Sequence, residues 1–342
     1  TTIYFLSSFT EPEVETPSAK LVKLQFKIQC DSFSKDLAAL NKRIALYKTD
    51  TLQLRALRES YIASRIHYKR VEALMEYYFP ATAKMLNGAL VNESDEEEGT
   101  QTIIEPEGLQ VVEDILFSGK PHEQMSLLET HGKRILAVSN RLNNLSDASP
   151  FGDFQIMDAQ RMALIRIMTL SIIGFDSPAS GNALKETEAE LVSIGSVIKC
   201  YEPVFLEKDK ALYQKINSQL EQSIAYLKKA QSLDELNKYV LIRQYLDPLY
   251  ASLTRIMPAL DIAILDLPSP IRLNASSIFS KAAINTNYYN PYNTSINKEA
   301  ILLGKILFFD PVLSGNNKRA CASCHDPRMA FTDNLPTSKA FG

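Results

Sequence analysis

The 342-residue chain has no tryptophan, 12 glycines and four cysteines. So little glycine argues against an all-β sandwich built on tight turns and against a glycine-rich nucleotide fold. Four cysteines are too few to staple a fold of this length with disulfides. No run of about 18 apolar residues occurs, so the sequence holds no transmembrane helix. Neither sign of charge dominates: 37 basic and 40 acidic residues leave a formal net charge of −3. No global field therefore recruits nucleic acid or an anionic membrane. What remains is an ordinary globular composition, 45% hydrophobic and 23% charged, at a length that suggests roughly two domains.

The hydrophobic period is helical, and the expected fold class is all-α. Leu21, Leu24 and Ile28 step by three and four, followed by Phe33, Leu37, Leu40, Ile44 and Tyr47. A second stripe opens at Asp50 or Thr51 and carries Leu54, Leu57, Tyr61, Tyr68, Val71, Met75 and Tyr78 before Pro80 stops it. Such spacing buries one face of a helix against its neighbours. Further helical stretches are expected over 105–118, 123–146, 153–174, 183–205, 209–230 and 232–264, with Pro80, Pro121, Pro150, Pro178 and Pro268 between segments. Ser232 and Glu235 form a capping box at the start of the last. About eight such helices suit two consecutive up-and-down bundles.

The remaining stretches punctuate this pattern. The apolar run Ile3-Tyr4-Phe5-Leu6 reads as a frayed terminus or the trimmed end of a signal peptide. The acidic run Glu93-Ser94-Asp95-Glu96-Glu97-Glu98 reads as a solvated connection rather than a cation-binding loop, because nothing fixes ligand geometry. After about Leu267 the chain turns rich in Asn, Ser, Pro and Tyr. The expected organisation is a tail over 1–17, a helical domain over 18–265, a linker over 266–296 and a separate segment over 297–342.

That last segment carries the sharpest chemistry, Cys321-Ala322-Ser323-Cys324-His325. Two thiols three residues apart can each add to one vinyl group of a haem, and the adjacent histidine can reach the iron as axial ligand. A zinc site would want a second ligand pair, but Cys30 and Cys200 stand far away in helical stripes. A redox Cys-x-x-Cys would want a thioredoxin-like βαβ context.

The surroundings add a resemblance. Leu303-Gly304-Lys305-Ile306-Leu307-Phe308-Phe309-Asp310-Pro311-Val312-Leu313-Ser314 precedes the motif, and Asp326-Pro327-Arg328-Met329-Ala330-Phe331-Thr332-Asp333 follows it. This resembles the first haem segment of bacterial di-haem cytochrome c peroxidases and their MauG-type relatives, over about the last 45 residues. The resemblance implies that Cys321 and Cys324 anchor haem c, with His325 as proximal ligand to the iron. It implies hydrogen peroxide as substrate, a small electron-donor protein such as a cytochrome c as partner, and a periplasmic location. It further implies a second c-type haem, the distal residues of the first and a calcium ion in the complete enzyme. No second Cys-x-x-Cys-His occurs in the sequence, so those features are expected beyond Gly342, and the chain reads as the front of a longer enzyme. Met329, four residues past His325, is too near to wrap to the opposite haem face.

A second resemblance spans roughly residues 20–265. Tyr61 to Gly88, with Arg65, Arg70-Val71-Glu72, Tyr77-Tyr78-Phe79-Pro80 and Asn87-Gly88, looks like the first half of imelysin-like domains, helical bundles linked to iron uptake. Gly108-Leu109-Gln110-Val111-Val112-Glu113 sits where that family carries G-x-H-x-x-E, with Gln110 in place of the histidine. An amide is a poor transition-metal ligand beside imidazole, which puts metal binding there in doubt. Independently, Arg58, Arg65 and Glu72 recur every seven residues, with Glu76 a turn on. They form either a polar, ligand-binding seam inside the bundle together with Glu113, or a solvent-facing stripe of i,i+4 pairs. Arg65, Glu72, Gln110 and Glu113 are thus the candidate bundle site. His67, His122 and His131 are expected in surface or capping roles. Cys30 and Cys200 are expected as free core thiols, a disulfide between them being the alternative.

Overall fold

The computed structural model describes residues 15–90, 93–95, 102–117, 119–290 and 297–335; the run 3–6 and the acidic residues 96–98 lie outside the described residues. Two compact units divide the chain, Thr1–Ile284 and Asn285–Gly342. As expected, the fold is all-α apart from one small hairpin.

In the first unit, helix α1 (Pro17–Thr49) starts where Thr16 Oγ1 accepts the Ala19 N–H at 3.1 Å and Pro17 takes the first helical position. Its buried stripe runs Val22, Phe26, Cys30, Phe33, Leu37, Leu40, Ile44 and Tyr47. The expected period is right, but its first turns are one residue out of phase. Leu21, Leu24 and Ile28 are about half exposed, because the stripe that continues into Phe33 is the Val22-Phe26-Cys30 face. Asp50 then caps the turn, its Oδ1 accepting the Leu52 N–H at 3.0 Å, and α2 (Leu54–Tyr78) begins. This helix packs against α1 and also meets two helices from later in the chain.

Helix α3 (Pro80–Asn87) opens on Pro80. The acidic stretch departs from the expected loop: β1 (Glu93–Asp95) pairs antiparallel with β2 (Thr102–Ile104), Glu93 facing Ile104. The Thr-Ile-Ile run is rich in β-branched residues, which favour strands. Gly108 bridges Asn87 at φ +97°, and a Cβ there would stand 2.6 Å from the Leu86 carbonyl oxygen, so only glycine fits before α4 (Leu109–Phe117).

The stretch expected over 123–146 is split into α5 (Met125–Ser139) and α6 (Leu142–Ala148), the Arg141 N–H bonding Val138 O in a tightened last turn. Then come α7 (Asp153–Thr169), α8 (Ala183–Cys200), α9 (Glu202–Lys208) and α10 (Lys210–Leu227). Pro203 separates α8 from α9 because it lacks the N–H a continuous helix requires. Both α7 and α8 pack on α2.

The helix expected over 232–264 is broken. The Glu235 N–H does reach Ser232 Oγ at 3.4 Å, but that turn stops, and α11 (Lys238–Val240) starts only at Asn237, which caps Val240 N at 3.0 Å. A π turn (Leu241–Leu246) leads into α12 (Asp247–Leu253), where Pro248 supplies no N–H, and α13 (Ile256–Ala259) ends the run. One contiguous hydrophobic core extends from Ala19 to Leu260.

Ile271, Leu273 and Ile278, within the stretch read as a linker, pack against this core. Arg161 bonds Asp158 at 2.6 and 2.9 Å and the Tyr250 hydroxyl at 2.7 Å, and donates to Ser269 Oγ and Ile271 O at 3.3 Å. A buried guanidinium thereby satisfies backbone that would otherwise need solvent.

The second unit differs in kind. Helix α14 (Lys298–Phe309) is capped by Asn297, which accepts the Ala300 N–H at 2.8 Å. Ile301, Leu302, Leu303, Ile306 and Phe309 on it are all more than half exposed, and no described residue of this unit is buried. A chain this short cannot bury a core of its own.

Candidate functional site

The Cys-x-x-Cys-His residues sit on a short 3₁₀ turn (Cys321–Ser323). Its backbone bonds run from Cys324 N to Cys321 O at 3.2 Å and from His325 N to the same oxygen at 2.9 Å. Ser323 Oγ accepts the Ala320 N–H at 3.1 Å and fixes the entry. Upstream, Ser314 Oγ accepts the N–H groups of Lys318 and Arg319, both at 3.2 Å, which folds the 314–319 loop back onto the motif. Cys321, Cys324 and His325 consequently line one open groove of about 360 Å³ with Asp310, Leu313, Ser314, Arg319 and Ala320.

Both thiols are free, Cys321 exposed and Cys324 half-buried. The His325 Nδ1 lies 3.0 Å from the carbonyl oxygen of Phe331. A carbonyl only accepts, so Nδ1 carries a proton, and the tautomer of the neutral ring that fits this bond has its lone pair on Nε2. Two thiols and one basic imidazole nitrogen along a groove suit a flat macrocycle bonded at its edge and its metal. They do not suit zinc: among the described residues the ligand atoms converging within 4.8 Å are those of Glu72, Asp176 and Glu190, not this set. Met329 is half exposed and does not line the groove.

The first unit holds a buried charge seam. Arg65, Lys69 and Glu72 on α2 are almost fully buried, as are Asp176 in the α7–α8 loop and Glu186 and Glu190 on α8. This is the interior alternative for the heptad stripe; the solvent-facing one is overturned for Arg65 and Glu72. Arg58 departs from the seam, its Nε donating to Leu116 O at 2.8 Å and its guanidinium lying over the Phe117 ring. Arg65 forms a fork on Glu186, Nε to Oε1 at 3.0 Å, and also bonds Asn87 Oδ1. Lys69 Nζ stands 2.8 Å from Glu72, 2.7 Å from Asp176 and 2.7 Å from Glu190. Arg166 on α7 reaches Glu72 at 3.2 Å and Asp176 at 3.0 Å.

Burial dominates the protonation of these groups, and the neighbours then set the direction. Burial raises the Asp176 carboxyl, but Lys69, Arg166 and Arg65 outweigh it and hold the group well below the usual carboxylate range. At Glu190 burial wins, with Glu72 and Asp176 adding to it against Lys69, and the carboxyl is pushed up to about 8. Ser171 Oγ bonds both Glu190 oxygens at 2.8–2.9 Å. Lys69 is lowered by burial but raised more by its three carboxylates. The ammonium therefore occupies the point where Glu72, Asp176 and Glu190 would hold a cation, and these residues do not fit a resident metal.

Gln110 and Glu113 are buried on α4 beside the seam. Glu113 Oε1 accepts the Ser180 N–H at 2.7 Å and the Ala179 N–H at 3.2 Å, while burial raises its carboxyl. Glu113 Oε2 and Gln110 Nε2, both buried, have no hydrogen-bond partner among the described residues. The four candidate bundle residues thus separate into two pairs, Arg65 with Glu72 in the seam and Gln110 with Glu113 at the adjacent loop.

Among the histidines, His67 pairs with Asp36 at the half-buried edge of α1 and α2. His131 is buried rather than superficial, because α5 turns it inward. Cys30 and Cys200 are free and buried, not joined. Lys69, Asp176, Glu186 and Glu190 were not singled out in sequence. The available signal was charge at positions 65, 69, 72 and 76 in phase with Tyr61 and Tyr68, on the apolar face of α2.

Comparison with known proteins singles out the second unit. Residues 298–342 match the di-haem cytochrome c peroxidase family. Over 45 residues the chain is 49% identical to cytochrome-c peroxidase IdrP2 of Denitromonas iodatirespirans, covering 13% of this chain and 12% of that protein. Over 53 residues it is 40% identical to the methylamine utilization protein MauG of Methylorubrum extorquens, covering 16% and 15% respectively. A 31-residue match to MauG of Paracoccus denitrificans is 61% identical and covers 9% of this chain and 8% of that protein. The chain therefore spans about an eighth of the length of the first of these relatives. No helix among the described residues is long and apolar enough to cross a membrane.

Proposed function

We propose that residues 297–342 are the first haem-attachment segment of a periplasmic oxidoreductase of the di-haem cytochrome c peroxidase type. Cys321 and Cys324 form thioethers to haem c, and His325 is the proximal ligand through Nε2. The observation that carries the reading is the groove shared by both free thiols and this imidazole, inside the stretch that matches the family. The exposed apolar face of α14 supports it, since that face needs a cover the unit itself does not supply. When bound, the haem supplies the iron chemistry that reduces hydrogen peroxide. The chain's own part is to anchor the macrocycle at two sulfurs and to present an imidazole whose Nδ1 is tied to the Phe331 carbonyl. Electrons come from a small donor protein such as a cytochrome c, through a second haem beyond this segment.

The test is expression with a c-type maturation system, and then a visible spectrum of the denatured protein. A Soret band that stays with the polypeptide, and is lost on replacing both Cys321 and Cys324 with Ala, is expected. No band, or a band the double variant retains, refutes covalent attachment.

A second reading concerns residues 18–265, which we propose as an imelysin-like binding module. Its support is the pair of unpartnered buried atoms, Gln110 Nε2 and Glu113 Oε2, on a helix opened by Gly108. Calorimetry with iron and zinc ions tests it, and the absence of heat that Glu113→Gln can abolish removes metal from the candidate ligands.

A further inference from the structure

The loop after His325 is closed by a dense set of its own hydrogen bonds. The Asp326 N–H donates to Thr332 O at 3.2 Å, closing residues 326–332 into a loop. Inside it, Asp326 O accepts the N–H groups of Met329 at 2.9 Å and Phe331 at 2.8 Å. The Asp326 carboxylate accepts the Arg328 N–H at 2.9 Å and the Arg328 guanidinium at 2.7–3.2 Å. Thr332 Oγ1 donates to Met329 O at 2.8 Å. Within this frame Ala330 and Phe331 both adopt left-handed backbone, at φ +52° and +62°. Consecutive non-glycine residues avoid that region, because Cβ crowds the following carbonyl oxygen. Such strain persists only where the surroundings over-determine it.

What the strained pair achieves is the placement of one atom. The Phe331 carbonyl oxygen is the one that meets His325 Nδ1 at 3.0 Å. Resting on the haem reading above, we infer that the Ala330-Phe331 turn is a positioning device for the proximal imidazole. It holds the Nδ1–H tautomer, orients the ring about its long axis and makes Nε2 more electron-donating toward iron. A backbone carbonyl on the outer nitrogen of a metal-bound imidazole acts in this way generally, and it strengthens the ligand. Ala330 and Phe331 are positioning residues through their backbone, so their side chains matter only as they tolerate positive φ.

The experiment uses the full chain matured with haem. Phe331→Pro removes both the left-handed conformation and the N–H that ties this residue to Asp326. Ala330→Val places a β-branched side chain at φ +52°, and Ala330→Gly relieves the strain and serves as control. The readouts are the ferrous iron–imidazole stretch by resonance Raman after CO photolysis and the haem midpoint potential. The expected result is a lower stretching frequency and a more positive potential in F331P, a smaller change of the same sign in A330V, and none in A330G. Haem bound with the stretch and potential of both F331P and A330V unchanged overturns this inference and leaves the haem reading intact. A wild-type chain that matures without covalent haem overturns the haem reading and the inference with it.

Discussion

The seam around Lys69 makes a quantitative demand that a single substitution can test. Lys69→Met keeps the apolar stem but deletes the terminal ammonium lying 2.7–2.8 Å from three carboxyl groups. Those carboxylate oxygens already lie within 4.8 Å of one another. Without the ammonium, charge on these carboxyl groups is left unpaired in a medium that screens poorly, and removing one partner of a buried ion pair costs about 3–5 kcal/mol. Arg166 stays in contact with Glu72 and Asp176 and offsets part of the loss, which favours the lower end. Taking about 2 °C per kcal/mol for a chain of this size, the melting temperature should fall by roughly 6 °C or more.

The same geometry predicts a rescue. Calcium prefers oxygen ligands at about 2.3–2.6 Å, close to the ammonium's own distances. K69M should therefore gain a divalent-cation dependence the wild type lacks at this triad. At a calcium concentration a hundredfold above the dissociation constant, linkage returns about 2.7 kcal/mol. Thermal melts by circular dichroism, with and without calcium or manganese, read both effects, and Lys120→Ala at an exposed pair controls for general charge loss. If K69M melts with the wild type and neither responds to cations, Lys69 is not the counter-ion that organises these carboxylates.

The described geometry supports three further outcomes. Glu190, whose carboxyl is raised to about 8 in the fold, is protonated there while the unfolded chain is already ionised; its contribution to stability is complete below the usual carboxylate range and is lost as pH rises toward about 8. Glu190→Gln should flatten that decline in chemical denaturation across this window, and an unchanged slope would count against it. Gly108→Ala forces a Cβ to 2.6 Å from Leu86 O at φ +97°, so it should destabilise by about 1 kcal/mol or more, read from the denaturation midpoint. In haem-free chain, Ellman's reagent should find Cys321 and Cys324 quickly, and Cys30 and Cys200 only after guanidinium is added. Four fast thiols in native buffer would contradict the buried placement of the latter two.

How far the sequence discloses the fold depends on the range of the interactions that decide each element. Phe33 to Tyr47 on α1 and the stripe of α2 are legible because a 3.6-residue period needs only local information. The phase of α1's first turns is not, since Leu21 and Val22 are equally apolar and only the partner helices choose between them. Ser232 and Glu235 show how a local signal can be realised and still fail to start a long helix. Their bond forms, yet Asn237, the π turn and Pro248 set where the helical segments of 238–259 begin and end.

The two candidate sites divide along the same line. Cys321, Cys324 and His325 lie within five residues, and the atoms that hold them, from Ser314 to Phe331, come from the same short stretch. The Cys-x-x-Cys-His motif of that stretch is legible by itself, whereas the left-handed backbone at Ala330 and Phe331 is not, since neither residue is a glycine. The charge seam is assembled the other way. Lys69 meets Asp176 from the α7–α8 loop and Glu190 from α8, and Arg65 meets Glu186 from α8, each more than a hundred residues away in sequence. Seven-residue spacing places Arg65 and Glu72 on one face, but it carries no information about whether that face meets water or the carboxyl groups of Asp176, Glu186 and Glu190. Only the long-range packing of α2 against α7 and α8 turns a charged stripe, ordinarily the mark of a surface, into a buried charge seam.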